Sequence, residues 1–257
     1  GCDMDNIIVR GVDTDQSPYD SGSYASSTTY VTGGAVVKAC ESMRKRICEE
    51  AAAIMGLKSG EVDFDGETIS ENDNPEHSMT LSDLITSLEA GNGRIIEVTE
   101  SHTSPVSPPP FMAGAAEIEV DLETGKITPI NYVAAVDCGT VINTNLARIQ
   151  TEGGIVQGMG MTLYEDVQYT EAGKMKNRNF MSYKIPTRLD MGSISVEFES
   201  SYEQTGPYGA KSIGEIVINT PAPAIADAVY NATGLRFRTL PITAEQVMMG
   251  LLEREEA

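Results

Sequence analysis

The sequence predicts an α+β fold with mixed sheets and packed helices, and three observations lead there. Apolar residues recur at three- and four-residue spacing over residues 33–55, the signature of a helix. They alternate over residues 115–120 and 127–136, the signature of strands. The two patterns are mixed along the chain without a regular strand–helix repeat, which favours α+β over a doubly wound sheet. The 257 residues are enough for one large domain or two small ones, each with a real core. We expect two lobes, 1–100 and 101–257.

From the start, Ile7-Ile8-Val9-Arg10 reads as a strand, and residues 13–32, rich in Ser, Thr, Gly, Asp and Tyr, as a loop. The helix over 33–55 places Ala35, Val36, Ala39, Met43, Ile47 and Ala51 on one face. The acidic stretch 57–80 reads as a short hairpin turning at Asp65-Gly66. Residues 81–90 follow as a helix capped by Thr80 or Ser82. Four prolines in residues 101–110 mark a loop or linker. The strands 115–120 and 127–136 flank a polar turn carrying Gly125, a strong hairpin signal. Residues 144–161 read as a helix that becomes glycine-rich, 193–199 as a strand, and 223–232 and 243–255 as helices.

Acidic residues outnumber basic ones by 38 to 18, for a net charge of −20. That charge argues against nucleic acid, an anionic membrane or a polyanion as a general partner, while allowing a small anion in a local pocket. No apolar run is long enough to span a membrane, and no targeting segment is present. The four cysteines show no CxxC spacing, so neither zinc nor an iron–sulfur cluster is expected on this chain. Cys40 and Cys48 are expected to pack as small hydrophobes, and free thiols suit a reducing cytoplasm. His77 and His102 are the only histidines, and neither has nearby partners for a metal site or a catalytic triad. The chain opens at Gly1 without an initiator methionine, as though cut from a longer polypeptide.

Three places offer chemistry. Gly22 to Gly33 is a run of small hydroxyl residues leading into a helix, and such a run presents N–H and hydroxyl groups to an anion. Without a ligand it would be a capping loop. Gln157 sits between Gly154 and Gly158-Met159-Gly160. Its amide can donate and accept, and glycines allow close backbone approach. The same run could instead be a packing face; as a dinucleotide fingerprint it is incomplete. Glu215 lies among Ile213, Ile216, Val217 and Ile218. In such a run it should be poorly solvated, which raises a carboxylate's pKa and suits a base. A structural ion pair or the wet face of a strand would explain it equally well. Lys211 could pair with a phosphate or an acidic neighbour; Asp137 and Asn143 brace turns, and Met159 and Met161 are core.

Four motifs occur in order: Asp13-Thr14-Asp15 with Gly22-Ser23-Tyr24-Ala25-Ser26-Ser27-Thr28; Val136-Asp137-Cys138-Gly139 leading to Gly154-Ile155-Val156-Gln157-Gly158; Tyr183-Lys184-Ile185-Pro186-Thr187; and Gly206-Pro207-Tyr208-Gly209-Ala210-Lys211-Ser212-Ile213-Gly214-Glu215. Together they resemble the C-terminal half of the molybdenum-cofactor-binding subunit of the xanthine dehydrogenase/aldehyde oxidase family, over nearly the whole chain. The family's pattern differs at Ser27, Thr144, Ser212 and Ile213, where other residues are common.

The resemblance implies the fold of the C-terminal half of a molybdenum hydroxylase's molybdenum-binding region, with the cofactor loop 22–33 on the first lobe and the Gln157 and Glu215 motifs on the second. It implies that Gly22, Ser23, Ser27 and the hydrogen-bond donors Ser26 and Thr28 contact the cofactor, that Ala25 packs near metal and substrate, and that Gln157 bonds an oxo ligand or the pterin. Glu215 would be the base on Mo–OH, and the molybdenum would be held through the pterin dithiolene with no protein ligand. The implied reaction is oxidative hydroxylation of a heteroaromatic, purine- or nicotinate-like, or aldehyde substrate with oxygen from water. The implied cofactor is a molybdopterin in the cytosine dinucleotide form. Implied partners are the N-terminal half of the subunit, an iron–sulfur subunit and an FAD subunit. Two rival readings are a carbon monoxide dehydrogenase type enzyme, whose active-site-loop cysteine this chain lacks, and a non-catalytic assembly subunit, against which the retained Gln157, Glu215 and hydroxyl loop argue.

Overall fold

Residues Gly33–Met55 form one helix, α1, whose buried face is Ile47, Cys48, Ala51 and Ala52. It stops at Gly56, which takes a left-handed conformation (φ 73°) and returns its N–H to Ala52. That face packs on an antiparallel sheet of β1 (Val62–Phe64), β2 (Thr68–Glu71) and β3 (Asn74–Thr80), closed by α2 (Leu81–Asn92). The core is Val62, Phe64, Ile69, Leu84 and Leu88; full burial of such a side chain contributes about 1.5–3 kcal/mol. The Asp65-Gly66 turn joins β1 to β2, with the Asp65 carboxylate accepting the N–H groups of Glu67 and Thr68. Thr80 caps α2 in a reciprocal box with Asp83.

The computed structural model describes residues 1–11 and 13–255. They cluster into two compact units: Gly1–Ser23 with Val31–Pro105, and Tyr24–Tyr30 with everything from Val106 onward. The cofactor loop expected within the first lobe is thus shared between the units.

In the second unit, β4 (Phe111–Val120) and β5 (Ile127–Asp137) form the expected hairpin, and β6 (Ser193–Phe198) adds to β5 in parallel. The inner face of β5, with Tyr132, Ala134 and Val136, meets Ile155 and Met159 of α3 (Thr144–Leu163), Ile225 and Val229 of α4 (Pro221–Thr233) and Val247 of α5 (Ala244–Glu255). A bulge at Glu117/Ile118 shifts the register, and the burial alternation of β5 slips opposite it, between Pro129 and Tyr132. Mixed helices and sheets are the α+β class that the periodicities predict.

Four local expectations need correction. Ile7-Ile8-Val9-Arg10 forms no strand: Ile8 and Val9 are exposed, and no described strand pairs with them. A β-rich composition cannot supply the partner a strand needs. The stretch 57–80 carries three strands rather than a hairpin. β3 carries no strand signal in the sequence because it is an exposed edge with Pro75 and no alternation. Cys40 and Met161 are exposed on their helices, whereas Cys48 and Met159 are buried as expected. Among the described residues no helix is long and apolar enough to cross a membrane.

Candidate functional site

Tyr24 to Ser27 make a tight turn closed by Ser27 N–H on the Tyr24 carbonyl at 3.0 Å. Both central residues have positive φ, Ala25 at 47° and Ser26 at 56°. For residues carrying a Cβ this region costs of order 1 kcal/mol each and persists only where the surroundings impose it. Here they do. Thr28–Thr32 continues as a π-helical turn that buries the Tyr30 ring, and the Tyr30 hydroxyl lies 2.5 Å from Thr205 Oγ1. Ser26 Oγ donates to Glu215 Oε2 at 2.9 Å. A Cβ on Gly214 would sit 2.9 Å from that same Oγ. A larger residue at 214 would press on the Ser26 hydroxyl as it meets the carboxylate.

Glu215 itself precedes a 3-10 turn, Ile216–Ile218. The β-branched run does not become a strand because Pro221 starts α4 three residues later and Val217 is buried against α3. Glu215 is exposed, so its apolar neighbours face inward and do not desolvate it within this chain; the expected burial is not found. It makes no salt bridge with any described residue, and Oε1 accepts no hydrogen bond from them. No ion pair forms, and the segment is a 3-10 turn rather than a strand, with the carboxylate on its exposed side.

The glycines of α3 serve two faces. A Cβ on Gly154 would overlap Val217 Cγ2, and one on Gly158 would crowd Pro221. Those two form the packing face. Gly153 and Gln157 look outward, and the Gln157 side chain bonds no described residue. Gln150 lies seven residues before Gln157, on the same stripe and roughly 10 Å down the axis. Its amide reaches the Gly214 carbonyl at 3.5 Å. Sequence reading missed Gln150, Tyr30 and Thr205; the helical repeat from Gln157 back to Gln150 was the available signal. Replacing Gly154 by alanine should gain helix propensity of about 1 kcal/mol yet lose more to overpacking, about 1–3 kcal/mol. A lower melting temperature, partly restored by Val217→Ala, is the expected outcome.

The remaining candidates are placed as follows. Thr28 is exposed and Ser27 half-buried in the turn. Gly22 (φ 99°) and Ser23 are exposed in the first unit, where Asp20 accepts the Gly22 N–H and the Thr32 hydroxyl. Those bonds, the Gly22 one foremost, hold the Asp20 carboxyl below its ordinary range. Lys211 takes the acidic-neighbour option, donating to Asp137 Oδ2 at 2.7 Å with both side chains largely buried. Asp137 also accepts Ser201 Oγ and the Gly139 N–H, so it braces a turn as expected. Asn143 caps α3 through the Leu146 N–H. From the third motif, the Tyr183 hydroxyl donates to Glu165 Oε2 at 2.6 Å, just beyond the end of α3. Among the described residues no three His, Cys, Asp or Glu could together hold a metal ion.

A family model described as the molybdopterin cofactor-binding domain matches residues 1–192. The chain belongs to that family. It is 32% identical over 255 residues to the probable hypoxanthine oxidase XdhD of Escherichia coli (strain K12), covering 97% of this chain and 26% of the relative. It is 30% identical over 244 residues to the xanthine dehydrogenase molybdenum-binding subunit of Escherichia coli O157:H7, covering 93% and 32%. The structure of quinoline 2-oxidoreductase from Pseudomonas putida 86 superposes with a TM-score of 0.77 at 25% identity, covering 93% of this chain and 32% of the other. The chain thus spans about a quarter to a third of the length of these relatives.

Proposed function

We propose that this chain furnishes part of the cofactor site and the general base of a molybdenum hydroxylase. Its reaction would be oxidative hydroxylation of a heteroaromatic or aldehyde substrate with oxygen from water. One observation carries the reading: Glu215 is a carboxylate free of any described cation, steadied by a neutral hydroxyl at Oε2 and open at Oε1. A carboxylate so placed can take up a proton at Oε1, which a carboxylate locked in an ion pair does poorly.

The residues present fit a molybdopterin. The unpartnered Gln157 amide and the exposed Thr28 hydroxyl are neutral donors, which suit a polar, anionic ligand on a chain of net charge −20. Gly153, beside Gln157, leaves open space at its Cα. In this reading Gln157, Thr28 and Ser27 of the second unit hold the cofactor, in its cytosine dinucleotide form, and Ala25 packs beside it. When bound, the cofactor supplies the two-electron redox chemistry. The chain's own residues orient it and move the proton. Electrons would leave through iron–sulfur clusters and FAD on partner subunits, and the remainder of the molybdenum-binding subunit would complete the pocket, supply the desolvation that Glu215 lacks here, and select the substrate. Four free thiols suit a cytoplasmic setting.

Gln157→Ala in the assembled enzyme tests the cofactor role. A hydrogen bond to a charged or strongly polar group contributes roughly 1.5–3 kcal/mol. Molybdenum content or turnover should fall while the melting temperature holds. A large loss of thermal stability at full molybdenum content would make Gln157 a packing residue instead. Turnover assayed with purines, nicotinate and aldehydes identifies the substrate class.

A further inference from the structure

The hydroxyl loop does something for Glu215 that cofactor binding alone would not require. Ser26 has one hydroxyl proton, and it is donated to Glu215 Oε2 at 2.9 Å. The loop that presents it is fixed in three ways: a turn with two positive-φ residues, Tyr30 buried with its hydroxyl on Thr205, and Gly214 making room for Ser26. Ser26 and Tyr30 grip the same 205–215 segment at its two ends. A second brace comes from α3, where the Gln150 amide touches the carbonyl that precedes Glu215.

We propose that residues 24–30 are a positioning device for the Glu215 carboxylate. Ser26 engages Oε2, fixes the carboxylate's rotation and leaves Oε1 as the proton acceptor. This rests on the reading of Glu215 as the base. It makes Ser26 a positioning residue whose hydroxyl is directed at the protein rather than at the cofactor. An exposed glutamate has several side-chain torsions to restrain, and misplacement of a base by a fraction of an ångström slows proton transfer without weakening substrate binding.

Ser26→Ala in the assembled enzyme isolates the hydroxyl, because alanine keeps the Cβ and so the same cost at positive φ. We expect kcat to fall about 10-fold, KM to stay within about 2-fold, and molybdenum and pterin content to match wild type. In a Glu215→Gln background, Ser26→Ala should change the residual rate by less than about 2-fold, because residues acting through one group are not additive. Ser26→Gly, which positive φ favours, provides a folded comparison should alanine loosen the turn. A fall in molybdenum content with Ser26→Ala, or a full 10-fold effect persisting in the Glu215→Gln background, would assign the hydroxyl to the cofactor and overturn the proposal. Near-native activity of Glu215→Gln alone is a different result: it removes the base assignment, and the positioning role with it.

Discussion

Glu215→Gln in the assembled enzyme is expected to cut turnover by at least ~100-fold while molybdenum and pterin contents stay at the native level. Glutamine is nearly isosteric, and its amide oxygen can still accept the Ser26 hydrogen bond, so the loop and the 3-10 turn after it keep their packing. On the proposed reading, what is lost is the proton acceptor at Oε1. Asp137, tied to the same segment through Lys211, does not readily replace it, being already engaged by Lys211, Ser201 and the Gly139 N–H. Steady-state kinetics with metal analysis on the same sample decide the matter. More than about half the wild-type activity at full molybdenum content would mean that Glu215 is not the base.

Lys211→Met is expected to have the largest effect on stability. The Lys211–Asp137 pair ties the end of β5 to the strand-like segment leading to Glu215, and the Lys211 N–H also bonds the Cys138 carbonyl. Removing the ammonium leaves a largely buried carboxylate without its cation, which costs about 3 kcal/mol. Asp137→Asn added to Lys211→Met should recover part of that loss, since no charge then remains unpaired. The pH dependence has a definite sign. Desolvation pushes the Asp137 carboxyl up, but hydrogen bonds from Lys211, Ser201 and Gly139 together outweigh it, and the net shift is downward. A carboxyl lowered by folding contributes stability above its unfolded pKa of about 4 and loses it as pH falls through the folded value. The wild-type and Lys211→Met unfolding curves should therefore converge below about pH 4. A constant gap at all pH values would show that the lysine acts otherwise than through the Asp137 carboxylate, for instance through the Phe111 ring, whose centroid is 5.4 Å from its ammonium.

How much of this was legible in the sequence depends on whether the relevant force was local. Helix α1, the β4–β5 hairpin, α3 and the Thr80 cap were readable because periodicity, turn residues and capping act within a few positions. β3 was not, since an exposed edge carries no apolar alternation. The fate of Ile216-Val217-Ile218 was not readable either. Their composition favours a strand, but a proline-led helix start and a glycine 63 positions earlier in the chain, Gly154 facing Val217, turn them into a single 3-10 turn. The candidate site shows the same division. Gln157 and Glu215 stand out by their neighbours, whereas Tyr30 and Thr205 become partners only in three dimensions. Exposure of Glu215 is not legible for the same reason: its flanking isoleucines and valine describe the turn's buried side, and the carboxylate is on the other.

One feature of the chain's path bears on how the molecule could be divided. Residues 24–30 belong to the second unit, yet the chain on either side of them belongs to the first. The loop therefore reaches Glu215 as a tethered segment, held in the same chain as its target. A cut at the proline-rich linker near residue 105 would sever nothing in the second unit's sheet or helices, but it would turn this intramolecular contact into a bimolecular one. Fragment 1–105, which carries residues 24–30, would then have to be supplied at a concentration high enough to restore it. Connectivity, as much as the hydrogen bonds themselves, is what keeps the serine on the carboxylate.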